Sequence, residues 1–598
     1  MGRIVSWLGA QHAPWIVIVI GLALAAPAVT ADFTADDHLQ RVIARDDPGI
    51  AGLHARPLDQ FVFANGEPAD TLRLRDGGLF PWWADPSLRL AFFRPLSSAT
   101  HALDHALWPE SATAQLAHNL VWLALALAMV WRFYRRFIPE PLRWIAVLAL
   151  LLYAVDDARG PVVGWIANRN ALIALTLALP ALLAHDRWRR EGWAAGRWVA
   201  PLLFAVSLGA GESALAIGAY LAAHALWLDR GRWTARLGAL APYAIIVVAW
   251  RVLYAHLGYG VAGSGIYLDP GSDPGAFVAA AATRIPFLLL GQLGLPWSDP
   301  ASLYPVLGGG ATMLGIALGT LAAIGLACAR MLRRDPVTRF FATGMVLAAV
   351  PIASTFPADR LLSFVGLGAM GLVAQLLAAA FRHREQLGDG RARRTAAVVV
   401  ALAMVFVHLV LSPPLLVLRS RSMVAVGRVI DRADAGIPSD PGVAGRTVII
   451  VATPSDALAG YIPIMRQSRG QPRPAHLYWL ATATTAVTLE RVDAHTLRVT
   501  PADGFLRYEI DQMVRSPRVR PFAAGDQVAL PGVTLDIEAI TPDGRPRSVL
   551  AHFALPLEDP SLIWRRWEGH TYVPYRPPAL GARETLPAVD LVKLLGDD

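Results

Sequence analysis

The chain has 598 residues, 55% of them hydrophobic, with a mean hydropathy of +0.42. So apolar a composition excludes an ordinary soluble enzyme, and repeated runs of about 20 apolar residues mark an integral membrane protein. The net charge of +8 is carried almost wholly by arginine, much of it in short loops between those runs, so it is not the signature of a nucleic-acid binder. The lone Cys328 lies inside an apolar run, which leaves no intrachain disulfide and no cysteine metal site.

Spans are expected at 14–31, 114–133, 142–156, 161–184, 198–211, 213–228, 236–256, 306–329, 339–356, 360–381 and 395–417, about eleven in all. The 198–228 stretch also reads as one kinked helix. Arg132, Arg135 and Arg136 follow the second span, and Arg187, Arg189 and Arg190 the fourth. Arg230, Arg232 and Arg236 follow the sixth, Arg330, Arg333 and Arg334 the eighth, and Arg382, Arg384, Arg391, Arg393 and Arg394 the tenth. Every second loop is basic, while the alternate loops carry Asp156, Asp157, Asp269 and Asp273. By the positive-inside rule the N-terminus is cytoplasmic, and 32–113 and the tail after 418 are extracytoplasmic. This describes a multi-pass protein of the inner (plasma) membrane with a periplasmic tail.

The parity holds only if 284–298 does not cross. That stretch is short and contains Gly291, Gly294 and Pro296, so it is expected to lie on the outer face. Ala28-Val29-Thr30-Ala31 before Asp32 also suits signal-peptide cleavage, and residue 32 emerges outside either way.

The expected organisation is a transmembrane domain over 1–417 and a β-rich extracytoplasmic domain over 420–598. The first includes the long external loop 32–113 and a second external loop, 257–305, with the interfacial segment. Residues 96–110 read as a short amphipathic helix. In the tail, 446–452 reads as a strand, 487–489 and 497–499 as a hairpin about Asp493–His495, and 533–537 as another strand before the Asp543-Gly544 turn. Such a domain suits a sandwich. Trp564, Trp567, Tyr572 and Tyr575 either pack that domain, dock it on the membrane, or stack on sugar rings.

Asp36-Asp37-His38 follows the first span, at the water–lipid boundary on the side away from the arginine-rich loops. A base at that depth can meet a lipid-carried substrate and a water-soluble acceptor together. Phe92-Phe93-Arg94-Pro95-Leu96 ends the same loop, His118-Asn119 opens the second span, and Trp165 through Arg169 lies near the outer end of the fourth. Glu212 starts the sixth and Asp359-Arg360 the tenth. All are expected at the outer membrane level. An unpaired charge in a span costs about 2.5–3.5 kcal/mol, so Arg169 and Glu212 are expected to pair with each other or to line a wet cavity. Arg94, Arg169 and Arg360 are candidates to hold a phosphate. There is no HExxH, no Walker loop, no GxSxG with partners and no tetratricopeptide period.

In this order the motifs resemble the GT-C class of membrane glycosyltransferases: Asp-Asp after span one, Arg-Pro-Leu, His-Asn, Trp165-x-x-x-Arg169, Gly211-Glu212 and Asp359-Arg360-Leu361-Leu362. They are most similar to the protein O-mannosyltransferase-like proteins with tetratricopeptide repeats, over about residues 14–380. The chain departs from that pattern where Gly211 replaces a lysine, Asp359 a glutamate and Leu361 a tyrosine, and where a β-rich tail replaces the repeats. The resemblance implies inverting transfer of a sugar from a polyprenyl-phosphate donor to an extracytoplasmic acceptor. It makes Asp36 or Asp37 the base, with Asp37 preferred. His38, Arg94, His118, Asn119, Trp165, Arg169, Glu212, Asp359 and Arg360 become substrate-binding candidates. No cofactor is assigned, although adjacent carboxylates are of a type that can hold a divalent cation. The rival readings are a non-catalytic membrane scaffold presenting its β domain, and a transporter, whose inverted repeats and mid-bilayer charges are not seen.

Overall fold

The computed structural model describes residues 2–590 and 593–594. Contacts divide the chain into two units, each assembled from three separated stretches. The first takes residues up to 32, 92–257 and 270–423; the second takes 33–91, 258–269 and the chain from 424 onward.

The first unit is helical. Among the described residues, eight helices are long and apolar enough to cross a membrane: Ala13–Thr30, Ala112–Phe137, Ile166–Glu191, Trp233–His256, Pro274–Leu293, Gly310–Arg334, Ser363–Arg382 and Arg391–Ala435. The protein is a multi-pass α-helical membrane protein. Helix starts follow local chemistry. Ser111 Oγ accepts from the Ala114 N–H at 3.2 Å, and Asp335 accepts from Val337 and Thr338 ahead of Pro336–Ile352. Gly192, in the left-handed region at φ 74°, ends Asn170–Glu191 just after Arg189 and Arg190.

Several expected boundaries move. The spans near 142–156 and 213–228 are helices of only 12 and 11 residues, Arg143–Ala154 and Ile217–Trp227. The 198–228 stretch is broken rather than kinked, at Gly209–Gly211 between Gly196–Leu208 and the 3₁₀ turn Glu212–Ala216. The segment read as a short interfacial piece at 284–298 belongs to a 20-residue helix, Pro274–Leu293, which starts ten residues earlier because Asp273 caps it and Pro274 opens it. Its length no longer argues against crossing. The chain just beyond it, Trp297 to Asp299, does meet Asp157 and Asp359.

Helices in lipid lack a hydrophobic drive toward one another, so close approach is built from small residues. A Cβ on Gly368 would lie 2.3 Å from the Phe341 carbonyl oxygen, and one on Gly344 would lie 2.4 Å from the Tyr220 ring. Phe133, Tyr134, Phe137, Tyr220, Phe340 and Phe341 fill the resulting core, mostly edge to face. Trp198, Leu202, Ile245, Val248 and Leu326 are exposed, as lipid-facing side chains must be.

Among its described residues, the second unit holds three sheets. Val62–Asn65, Arg89–Ala91 and Gly260–Ala262 form a small antiparallel one that joins the stretches 33–91 and 258–269. A six-stranded antiparallel sheet contains the expected hairpin, Val487–Arg491 with Thr496–Pro501, in which Leu489 faces Val499. A four-stranded sheet has a parallel core of Leu562–Glu568, Thr447–Ile450 and Tyr478's strand, His476–Trp479. Helix Asp456–Arg469 makes the crossover between the last two, so the tail carries an α/β element where only strands were expected. Of the tail aromatics, Trp564, Tyr572 and Tyr575 are buried, and Tyr572 shares a hydrogen bond with Thr453 at 2.7 Å.

Candidate functional site

In the first unit, helix Pro95–Leu107 organises the polar groups. Leu96 N–H donates to the Gly209 carbonyl at 2.9 Å and Ser97 Oγ to that of Ala210 at 2.6 Å, which fastens the helix start to the break at 209–211. Arg94 Nε then donates to Glu212 Oε2 at 2.8 Å, and Tyr254 donates to Oε1 at 2.9 Å.

One face of the same helix carries Thr100 and Asp104 toward Arg169. Arg169 is fully buried and ion-paired with the equally buried Asp104. It also donates to Asn119 Oδ1 at 2.6 Å and the Gln115 carbonyl at 2.9 Å. Trp122 donates to His118 Nε2 at 3.1 Å, which leaves the His118 proton on Nδ1, 2.7 Å from Asp104 Oδ1. The expected pairing of Arg169 with Glu212 is therefore wrong. Each found a nearer partner on the helix 95–107 segment, where an ion pair leaves no buried charge unmatched.

Asn119 links this group to the next by donating to the carbonyls of Val163 and Trp165 at 2.9 and 3.2 Å. The Trp165 ring carries Arg360, whose guanidinium carbon lies 5.0 Å from its centroid and 5.3 Å from that of Phe356. Among the described residues, no carboxylate pairs with Arg360. The Trp165 indole N–H and the Asn168 Nδ2 are buried donors with no acceptor among those residues.

Asp359 is fully buried and points elsewhere. It accepts from Ser298 N–H at 2.8 Å, Ser298 Oγ at 2.6 Å and Arg419 Nη1 at 2.7 Å. Arg419 also donates to Asp157 at 2.7 Å and Asp299 at 2.5 Å, and stacks on Trp297 at 4.9 Å. Three carboxylates thus share one guanidinium. Burial, with the neighbouring Asp299 charge, pushes Asp359 up to about 7 against the pull of Arg419.

In the second unit, Asp36, Asp37 and His38 open the helix Asp36–Ile43. The residue before it, Ala35, sits at φ 54° and ψ −120°, a conformation that L side chains rarely adopt. Asp37 is buried and accepts from the Thr34 N–H at 3.1 Å, an N-terminal brace. Asp36 is half-buried and accepts from the Tyr461 hydroxyl at 2.6 Å. His38 is buried, and Arg41 Nη1 and His38 Nδ1 both lie 3.1 Å from Ser468 Oγ. Burial first, then Arg469 and Arg41, drive His38 down to about 3, so it stays neutral and packs the helix.

The structure thus joins His118, Asn119, Trp165, Arg169 and Arg360 into one contiguous band. It gives Arg94 and Glu212 to each other and Asp359 to a separate acidic cluster. Sequence reasoning missed Asp104, Tyr254, Asp299, Arg419 and Tyr461. Only Asp104, on the polar face of its helix, left a signal in the local pattern. Among the described residues, no group of three or more His, Cys, Asp or Glu side chains is arranged to hold a metal ion.

No family model and no curated protein matches the chain. Among solved structures, it is similar to ArnT from Cupriavidus metallidurans bound to undecaprenyl phosphate, at 14% identity and a TM-score of 0.35, over 78% of this chain and 90% of that one. The apo structure of ArnT gives the same identity and coverage with a TM-score of 0.33. The arabinosyltransferase EmbB from Mycobacterium smegmatis overlaps 89% of this chain and 47% of its own, at 15% identity and a TM-score of 0.28. These are loose likenesses, and the bound lipid phosphate is ArnT's.

Proposed function

We propose that the chain is an integral membrane glycosyltransferase that moves a sugar from a polyprenyl-phosphate carrier to an extracytoplasmic acceptor. The observation that carries this reading is Arg360. Of the arginines singled out in the sequence, Arg94 and Arg169 are neutralised by carboxylates, whereas Arg360 stacks on the rings of Trp165 and Phe356 and pairs with no carboxylate among the described residues. A planar cation held by stacking keeps its N–H groups for a phosphate. Trp165 and Asn168 also carry buried donors with no acceptor among the described residues.

The acceptor hydroxyl attacks the anomeric carbon, its proton passes to Asp36, and the C–O bond to phosphate breaks with inversion. The departing lipid phosphate carries the charge away as an anion. Asp36 is favoured over Asp37 as base because its carboxylate is the more exposed, whereas Asp37 is buried against its own turn. Asp36→Asn with Asp37→Asn should abolish release of undecaprenyl phosphate from undecaprenyl-phosphate monosaccharides while leaving expression intact. A double variant that works at full rate rejects the assignment.

One observation favours a non-catalytic scaffold: Arg94 and Arg169 are each taken up by a carboxylate of the fold, Glu212 and Asp104. That reading expects no undecaprenyl phosphate binding and no effect of Arg360→Ala.

A further inference from the structure

We propose that Tyr461, in the C-terminal tail, is a positioning residue for the Asp36 carboxylate. On this view the tail takes part in sugar transfer. The inference rests on the role of Asp36 set out above.

The Tyr461 hydroxyl donates to Asp36 Oδ1 at 2.6 Å, within the range of about 2.5–2.7 Å for a hydroxyl on a carboxylate. That bond occupies one oxygen and fixes the plane of the group, which sets the direction of the other oxygen.

The bond is not a stray contact, because the helix that carries Tyr461 grips the Asp36 helix further along. Tyr461 and Ser468 are two turns apart and share a face. Arg41 donates to Ser468 Oγ, whose own proton then goes to the neutral His38 Nδ1, each at 3.1 Å. Arg45 Nη2 donates to the Ser468 carbonyl at 3.1 Å, and Gln467 Nε2 donates to the Pro48 carbonyl at 2.9 Å.

The tail helix is itself held firmly. Ser455 caps it, Trp479 Nε1 donates to Asp456 at 2.9 Å, and the buried Arg466 donates to Asp434 at 2.5 Å and to the Ile437 and Pro438 carbonyls at 2.8 Å. A phenol on so fixed an element suits the precise support that a base needs. The strained Ala35 on the opposite side of Asp36 in sequence is consistent with a carboxylate whose aim is set by its surroundings.

The test uses the full chain in detergent, with undecaprenyl-phosphate monosaccharides as probes and released undecaprenyl phosphate as readout. Tyr461→Phe keeps the ring and removes only the bond. It should lower kcat by about tenfold to a hundredfold with KM for the lipid unchanged, the penalty of a misaimed group. In an Asp36→Asn background the same change should cost nothing further. Thermal unfolding of the four chains in this cycle should be non-additive, which checks the bond without reference to activity. An active wild type with an unchanged kcat in Tyr461→Phe, or additive unfolding, overturns the inference alone. A wild-type chain that releases no undecaprenyl phosphate from any probe overturns the proposed function and this inference together.

Discussion

Asp104 and Arg169 form an ion pair in which both side chains are wholly excluded from solvent. Removing one partner of such a pair leaves the other buried and unmatched, at a cost of about 3–5 kcal/mol. Asp104→Asn should therefore lower the unfolding temperature in detergent far more than Glu212→Gln, whose partner Arg94 is only partly buried. Equal, small shifts in the two variants would show that the buried pair is not a structural lock.

Arg360 and Trp165 predict a different pattern. A lysine keeps the charge but neither the planar stack nor the fork of donors. On the proposed function, Arg360→Lys should weaken binding of a polyprenyl phosphate about tenfold, a difference of about 1.4 kcal/mol that lies within the range for a desolvated cation–π contact. Arg360→Ala should weaken it more. Unfolding temperatures should barely move, since no ion pair is lost. Binding that is indifferent to both changes would place the phosphate elsewhere.

Asp359 makes stability depend on pH in a direction opposite to that of most carboxylates. Its folded value of about 7 lies above the unfolded value of about 3.9. Between these two the folded chain holds a proton that the unfolded chain has lost, so stability falls as pH rises from about 4 to about 7 and then levels off. Subtracting the profile of Asp359→Asn from that of the wild type should isolate this slope. A difference that is flat, or that rises with pH, would contradict it.

Ala35 stores strain that glycine would not. A non-glycine residue at such angles costs about 1–3 kcal/mol, partly offset by the extra freedom of glycine in the unfolded chain. Ala35→Gly should stabilise the fold by about 1 kcal/mol and, by loosening Asp36, slow transfer. Greater stability with unchanged turnover would separate the strain from the chemistry.

The membrane class and most spans were legible because long apolar runs stand out from the polar segments between them. Which groups would pair was not. Arg169 and Glu212 looked like partners because both stood in spans at one level, but the true partner of Arg169 sat on a helix read as an amphipathic surface piece. Arg419 left no mark in its local sequence, since three carboxylates from distant loops define it. Pro274–Leu293 was underestimated because its first ten residues are small and weakly apolar. The parallel strands of the tail were hidden because the crossover helix between them is only modestly amphipathic and contains Pro463.

The separation of Asp36 from Tyr461 by 425 residues bears on biogenesis. At about 5–20 residues per second of synthesis, the helix Asp36–Ile43 waits on the order of 20–90 s before the segment that holds it is made. During that interval a strained turn, two acids and the apolar side of a short helix stand without their counterpart. Newborn chains should pass through a stage vulnerable to proteases, and the last third of the message decides whether the first loop ever becomes competent.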